Sequence, residues 1–221
     1  RRGYRTASGD APMQETVAAA MVRMSDWDGR LPLADPMCGT GTLVIEAALI
    51  ARRIAPGAGR RFAVERWPGL APGTRDALDD EVAQRRRPLA HPVRGADRNA
   101  GAVALAARNA ARAGVGDDVG FEAAPVSALH LDEPPGLVVC NPPYGQRVGR
   151  GDTLRNLYAR LGQRLRQGAP GWRLALVTAS PDLAHATGLA LEPLTSVVPH
   201  GGLRVRFYAG KVAPTGDVSR T

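Results

Sequence analysis

Asp35-Pro36-Met37-Cys38-Gly39-Thr40-Gly41 is the stretch whose reading decides the fold. A short apolar run, residues 31–35, leads into it, and Thr42-Leu43-Val44-Ile45-Glu46-Ala47-Ala48 leads out. A strand, a glycine turn and a helix in that order are how open α/β sheets meet nucleotides at the carboxyl ends of their strands. Gly39 and Gly41 remove side chains where a ligand approaches the backbone. Two phosphate-binding versions of the turn fail. The run ending in Gly-Lys-Ser or Gly-Lys-Thr is absent, and a dinucleotide turn needs glycine where Val44 stands.

Outward from this turn, strand-like and helix-like segments alternate. The pattern predicts a helix over 12–24 with Pro12 in its first turn, a strand over 31–35, and a helix over 41–54 closed by Pro56-Gly57. Strands follow at 93–97, 119–123, 137–141 and 173–178, and helices at 99–113, 153–167 and 181–187. Residues 189–198 and 203–209 read as two strands joined through His200-Gly201-Gly202. The expectation is an α/β fold with a mostly parallel sheet and a terminal antiparallel hairpin. It forms one domain over 1–211, with a frayed tail at 212–221. Residues 55–91 break the rhythm where a tight loop would suffice. They carry Arg60, Arg61, Arg66, Arg75 and Arg85-Arg86-Arg87, interleaved with Phe62 and Trp67.

A cofactor with a nucleoside but no pyrophosphate suits the turn, and S-adenosylmethionine is the common one. Asp35 can orient its ammonium. Asp97, ending the next strand, can accept two hydrogen bonds from ribose hydroxyls. Cys38 reads as a small residue packed beneath the turn rather than an activated thiol, since no His lies near it in sequence.

The second informative run is Asn141-Pro142-Pro143-Tyr144, after the apolar Leu137-Val138-Val139-Cys140. Two prolines fix the backbone and supply no N–H, which leaves carbonyls free to face a ligand. An amine on an aromatic ring is a poor nucleophile because its lone pair is delocalised. The Asn141 side-chain oxygen and the Pro142 carbonyl can hold both its hydrogens, and Tyr144 can stack on the base. An ordinary Pro-Pro turn with an exposed aromatic is the alternative.

The 221 residues carry a net charge of +8, which favours a polyanionic partner. Only Lys211 is a lysine. The preference for arginine fits a GC-rich genome, but the excess of base over acid does not follow from it. Cys38, Cys140 and four scattered histidines have no metal-site spacing. No apolar run is long enough to span a bilayer, since Glu46 interrupts the best one. Reduced thiols in a cytoplasm are expected. An opening at Arg1-Arg2-Gly3-Tyr4-Arg5 without Met suggests a fragment of a longer protein.

Taken together, these motifs resemble the catalytic domain of the THUMP-associated RNA guanine-N2 methyltransferases, of the large-subunit ribosomal RNA type. Some members of that family carry the older label of N6-adenine-specific DNA methylase. The resemblance rests on Arg2-Gly3-Tyr4-Arg5, Ala11-Pro12 with Glu15, the 35–42 run, Ile45-Glu46-Ala47-Ala48, Phe62 with Glu65 and Trp67, and Asn141 to Gly145. It implies a seven-stranded Rossmann-like sheet, S-adenosylmethionine as donor and guanine N2 in RNA as acceptor. By that resemblance Pro12, Glu15, Asp35, Pro36, Met37, Cys38, Gly39, Thr40, Gly41, Thr42, Asp97 and Arg98 surround the cofactor. Asn141, Pro142, Pro143 and Tyr144 grip the base. Where the family offers an Asp toward the cofactor adenine, this chain has Pro125; Glu122, Ser127 or a backbone group can substitute. The THUMP region that, in that family, helps choose the RNA is expected to lie outside this chain.

Three functions follow: guanine-N2 methylation of ribosomal or transfer RNA, adenine-N6 methylation of DNA or RNA, and a nucleic-acid-binding module without catalysis. Intact Gly39 and Asn141 place the last behind the others. On the first reading the arginines of 52–87 and Arg147-Arg150 hold phosphates; the plainer reading of the former is a solvated helix face.

Overall fold

β1 (Leu33–Asp35) is buried throughout, and its neighbours set the topology. In the computed structural model, which describes residues 2–5, 13–132, 134–144 and 151–213, β1 pairs in parallel with β2 (Val93–Asp97) on one side and β4 (Leu137–Cys140) on the other. β3 (Val119–Ala123) lies beyond β2, and β5 (Arg173–Thr178) beyond β4, both parallel. Between β5 and β8 come the short β6 (Glu192–Pro193) and β7 (Val198–His200). β8 (Leu203–Lys211) then runs antiparallel to β5. The order is β3-β2-β1-β4-β5-β8-β6, with β7 also paired to β8. This is the expected seven-strand path, and the order reverses between β1 and β4, where open α/β sheets leave a crevice for ligands.

Helices cover both faces. α1 (Glu15–Met24), α2 (Thr42–Ala51) and α4 (Ala100–Arg112) contribute to one core, with Leu33, Val93, Val139 and Phe207. α5 (Gly151–Gly168) and α6 (Pro181–Ala186) close a second core, where Tyr158, Leu161 and Leu165 meet Val138, Cys140 and Tyr208. Alternate residues of β4 enter opposite cores, as a strand covered on both faces requires. Leu161 and Leu165 are fully buried, so each contributes about 1.5–3 kcal/mol relative to exposure.

Helix ends follow local chemistry. Asn99 caps α4 by accepting the Gly101 and Ala102 N–H groups. At its other end Gly114 is left-handed, and the Val115 N–H bonds back to the Ala110 carbonyl. α2 ends the same way without glycine. Arg53 sits at φ +54°, its N–H bonds to Ile50, and the Ile54 N–H bonds to Leu49.

Several expected boundaries move. The helix expected over 12–24 starts at Glu15, and Pro12 lies outside the described residues. The strand expected over 31–35 starts at Leu33, because Leu31 is exposed. The helix expected over 41–54 is shortened at both ends by left-handed residues, Gly41 and Arg53. Residues 189–198 do not form one strand. Only 192–193 pair as β6, and β7 starts at Val198, with Pro193 and Pro199 removing ladder donors.

The 55–91 stretch is not a plain loop. It contains a 3-10 turn, Ala63–Arg66, and α3 (Thr74–Gln84). It also lies at the amino edge of the sheet. α2 leaves the carboxyl end of β1 and runs back about 15 Å, and the chain re-enters at Val93, level with Leu33. Arg87 fastens this edge by donating to the Ala51 and Asp28 carbonyls at 2.7 and 2.6 Å.

Candidate active site

The two motifs meet across the crevice. Ala34 is level with Val138 on adjacent parallel strands. Asp35 therefore ends β1 level with Val139, two residues before Asn141 and about one strand spacing (~4.8 Å) to the side.

On the β1 side the turn is held by β2. The Cys38 N–H donates to the Ala96 carbonyl, and the Gly39 N–H donates to Asp97 Oδ2, both at 2.9 Å. Asp97 Oδ1 accepts the Asn99 N–H at 2.9 Å. The Thr40 carbonyl accepts from Asn109 Nδ2 of α4 at 3.1 Å. The two glycines serve different ends. At Gly41 (φ +84°) a Cβ would lie 2.9 Å from Ala106 Cβ and 3.2 Å from the Phe121 ring, so packing excludes it. At Gly39 (φ +53°) a Cβ would meet nothing within 4 Å, so the space above it is open to a ligand.

Asp35 is 2% exposed, and burial pushes its carboxyl up to about 8; the Met37 N–H at 3.0 Å opposes the shift and the Asp97 charge adds to it. A buried carboxyl with one hydrogen-bond donor is short of a positive partner. Cys38 joins the first core, and burial raises its thiol well above the ordinary value, which fits the packed residue expected and not a nucleophile. Pro36 and Thr42 are buried, Met37 packs against the second core, and Arg98 is exposed beside Asp97.

On the β4 side, Asn141 Oδ1 is buried and has no hydrogen-bond partner among the described residues. An orphaned buried acceptor costs about 1–3 kcal/mol. Pro142 is buried, Pro143 is half-buried, and Tyr144 packs half-buried against the first core. Burial pushes the Tyr144 phenol up to about 12, so it stays neutral. Behind them Tyr158 of α5 is fully buried.

Glu15 faces a cluster that sequence reasoning missed. Glu46, inside the otherwise apolar α2, is 1% exposed. Its Oε1 accepts the Tyr4 hydroxyl at 3.0 Å and lies 2.8 Å from Arg2 Nε. Burial lifts Glu46 to about 7; Arg2 and Tyr4 oppose the shift, and the charge of Glu15 adds to it. The signal was present in Arg2-Gly3-Tyr4-Arg5 and in an acid amid apolar residues, but the partners are 42 residues apart. In place of the family's Asp after β3, the chain turns through Pro125 into a 3-10 turn, Val126–Ala128, with Glu122 and Ser127 exposed.

The insertion arginines are not gathered at this site. Arg75 pairs with Glu65 and Asp79 at 2.6 Å, Arg61 with Glu65, and Arg85 with Glu81. Arg60 and Arg75 flank the Phe62 ring. With the Arg87 anchors, this favours the solvated, internally paired face over a phosphate cradle. Arg147 and Arg150 lie outside the described residues. Among the described residues no three His, Cys, Asp or Glu side chains converge on a metal position, and no helix is long and apolar enough to cross a membrane.

A seven-strand path with the β1–β4 crevice, a braced glycine turn and an open acceptor opposite define the class: a Rossmann-like methyltransferase fold. The chain belongs to the RMKL-like methyltransferase domain family (UPF0020), which it matches over residues 2–197. It is similar to the ribosomal RNA large subunit methyltransferase K/L of Chromohalobacter salexigens, 44% identical over 87% of this chain and 28% of that one. The Legionella pneumophila (strain Corby) protein of the same name is 38% identical over all of this chain and 32% of that one. The chain thus spans about a third of these relatives' length. The solved structure of SMU.472, a methyltransferase complexed with SAH, superposes with a TM-score of 0.86 at 30% identity, over 95% of this chain and 54% of that one.

Proposed function

We propose that this domain transfers a methyl group from S-adenosylmethionine to the exocyclic N2 amine of a guanosine in RNA, large-subunit ribosomal RNA before transfer RNA. The observation that carries the reading is the orphaned Asn141 Oδ1, fixed beside two prolines at the crevice opposite the Gly39 turn. The relatives' names supply the RNA class. A ribosomal substrate sets the place of action in the cytoplasm.

The residues fit this donor. Gly39 leaves open space, Asp97 has spare lone pairs for ribose hydroxyls, and Asp35 has no cationic partner among the described residues, a place an ammonium would fill. Pro12, Glu15 and Arg98 complete the donor side on this reading. The donor supplies an electrophilic methyl on a sulfonium sulfur, which departs as a neutral thioether. Asn141 Oδ1 and the Pro142 carbonyl accept the two amine N–H groups, which turns the nitrogen lone pair toward the methyl. The N–C bond forms as the S–C bond breaks, and the surplus amine proton passes to solvent. Tyr144 stacks on the base, and the target nucleotide leaves its helix to reach the pocket. Most of the rate comes from alignment.

The test is incubation with labelled S-adenosylmethionine and unmodified ribosomal RNA, followed by nucleoside mass spectrometry. N2-methylguanosine is the expected product. N6-methyladenosine would install the adenine alternative, and no label in RNA would overturn the reading.

A further inference from the structure

Sorting the arginines by sheet edge separates two populations. Those of 52–87 stand at the amino edge, a helix length from the crevice, and Arg52, Arg61, Arg75, Arg85 and Arg87 among them are paired. Arg204 and Arg206 stand at the carboxyl edge, beside the acceptor. Both are exposed, and among the described residues neither meets a carboxylate. Resting on the RNA reading above, we propose that the β7–β8 hairpin grips the target strand by binding its phosphates through Arg204 and Arg206.

The strand register places them. Arg206 is level with Thr178, the last residue of β5, and Cys140 is level with Leu176. Asn141 therefore stands one residue lower than Arg206 and two strands away, about 3 Å in height and 10 Å across. Because β8 runs antiparallel, Arg204 and the Gly201-Gly202 tip project further past the same edge. A nucleotide whose base occupies the Asn141 claw has its own phosphates at about this separation.

Alternation orients the hairpin. Val205 and Phe207 turn into the first core, which leaves Arg204 and Arg206 on the opposite side. His200 is 7% exposed and holds the end of β7 against the body. At the tip, Gly201 (φ +58°) and Gly202 (φ +80°) have nothing within 4 Å of a Cβ position, so a backbone can come close. Leu203 is exposed next to them. A rigid base, a bare tip and two exposed guanidinium groups suit a sugar–phosphate chain. The rival account, charges that only keep a projecting hairpin soluble, predicts no loss of RNA affinity on their removal.

The test compares R204A/R206A with R66A/R86A, which removes the same charge from exposed arginines at the amino edge. Binding of a ribosomal RNA fragment is measured against salt, alongside methyl transfer and calorimetry with S-adenosylhomocysteine. R204A/R206A should lower the slope of log affinity against log salt by roughly 1.5 and raise the KM for RNA about ten-fold, and R204K/R206K should restore both. S-adenosylhomocysteine affinity should not change, and R66A/R86A should keep the wild-type slope. An unchanged slope in R204A/R206A, or an equal fall in both variants, overturns the proposal. A wild-type protein that methylates no RNA strikes the function reading itself. Normal methylation with an unaltered R204A/R206A slope strikes only the hairpin.

Discussion

The Asp97 carboxylate accepts the Gly39 N–H at 2.9 Å, so the end of β2 holds the turn that follows β1. Its other oxygen accepts the Asn99 N–H and steadies the start of α4. Asp97→Ala releases two charge-assisted bonds at a half-buried position that water partly reaches. Urea unfolding should show a loss of about 1–3 kcal/mol. Calorimetry should show S-adenosylhomocysteine affinity falling by a similar amount. Unchanged values in both would remove Asp97 from the brace and from the site.

Gly39→Ala and Gly41→Ala should fail in different ways. Gly41→Ala drives a Cβ against Ala106 and Phe121 at a left-handed residue, so stability drops, by about 2–4 kcal/mol. Gly39→Ala adds its methyl to open space, so it costs only the left-handed penalty, about 1 kcal/mol. Its main effect is to block the cofactor. Melting temperatures beside S-adenosylhomocysteine titrations separate the two; equal melting losses would sink the distinction.

Asn141→Ala should abolish methyl transfer, by at least about a hundred-fold, while S-adenosylhomocysteine binding persists. Stability should hold or rise, because the variant removes a buried acceptor that has no partner. A large loss of stability would mean that the carboxamide serves the fold instead.

Asp35 gives the fold a pH dependence of known sign. Burial lifts its carboxyl from 3.8 to about 8, so the unfolded chain ionises first. The stability it contributes is complete below about pH 4 and is lost as pH rises toward 8. Glu46, lifted to about 7, acts in the same direction. Asp35→Asn should flatten the fall of unfolding free energy between pH 5 and 8. Wild-type affinity for a cationic cofactor should rise over that range as the carboxylate forms. Parallel pH profiles for the two proteins would exclude Asp35 as the source.

Arg53 is a non-glycine residue in a left-handed helix end at φ +54°. Arg53→Gly should raise stability by about 1 kcal/mol in denaturant titration. A decrease would show that the side chain makes up for its own strain.

Much of the sheet was legible in the sequence. The bounds of β2, β3 and β5 match those expected, because turn or helix-capping residues stand beside each of them. The placement of Asp35 at the end of β1 and of Asn141 just past the end of the neighbouring β4, which stops at Cys140 and not at 141 as expected, follows from the same alternation. The misses share a cause. α3 has polar residues on every side and buries nothing, so it shows no apolar period. The pairing of Arg2 and Tyr4 with Glu46 joins distant segments that no local pattern links. The sequence also weighed the insertion by its charge, whereas its distance from the crevice follows from the direction in which α2 runs.

That same directionality divides the chain by reactant. On the proposed reading, the parallel strands bring residues 35–99 to the donor flank. The acceptor flank would be built from Asn141 onward, and finished only when the reversed β8 returns the backbone to that edge. On that reading the connection between β3 and β4 is a seam: segments before it would serve the methyl donor and segments after it the methylated base, so the two could vary separately along the chain.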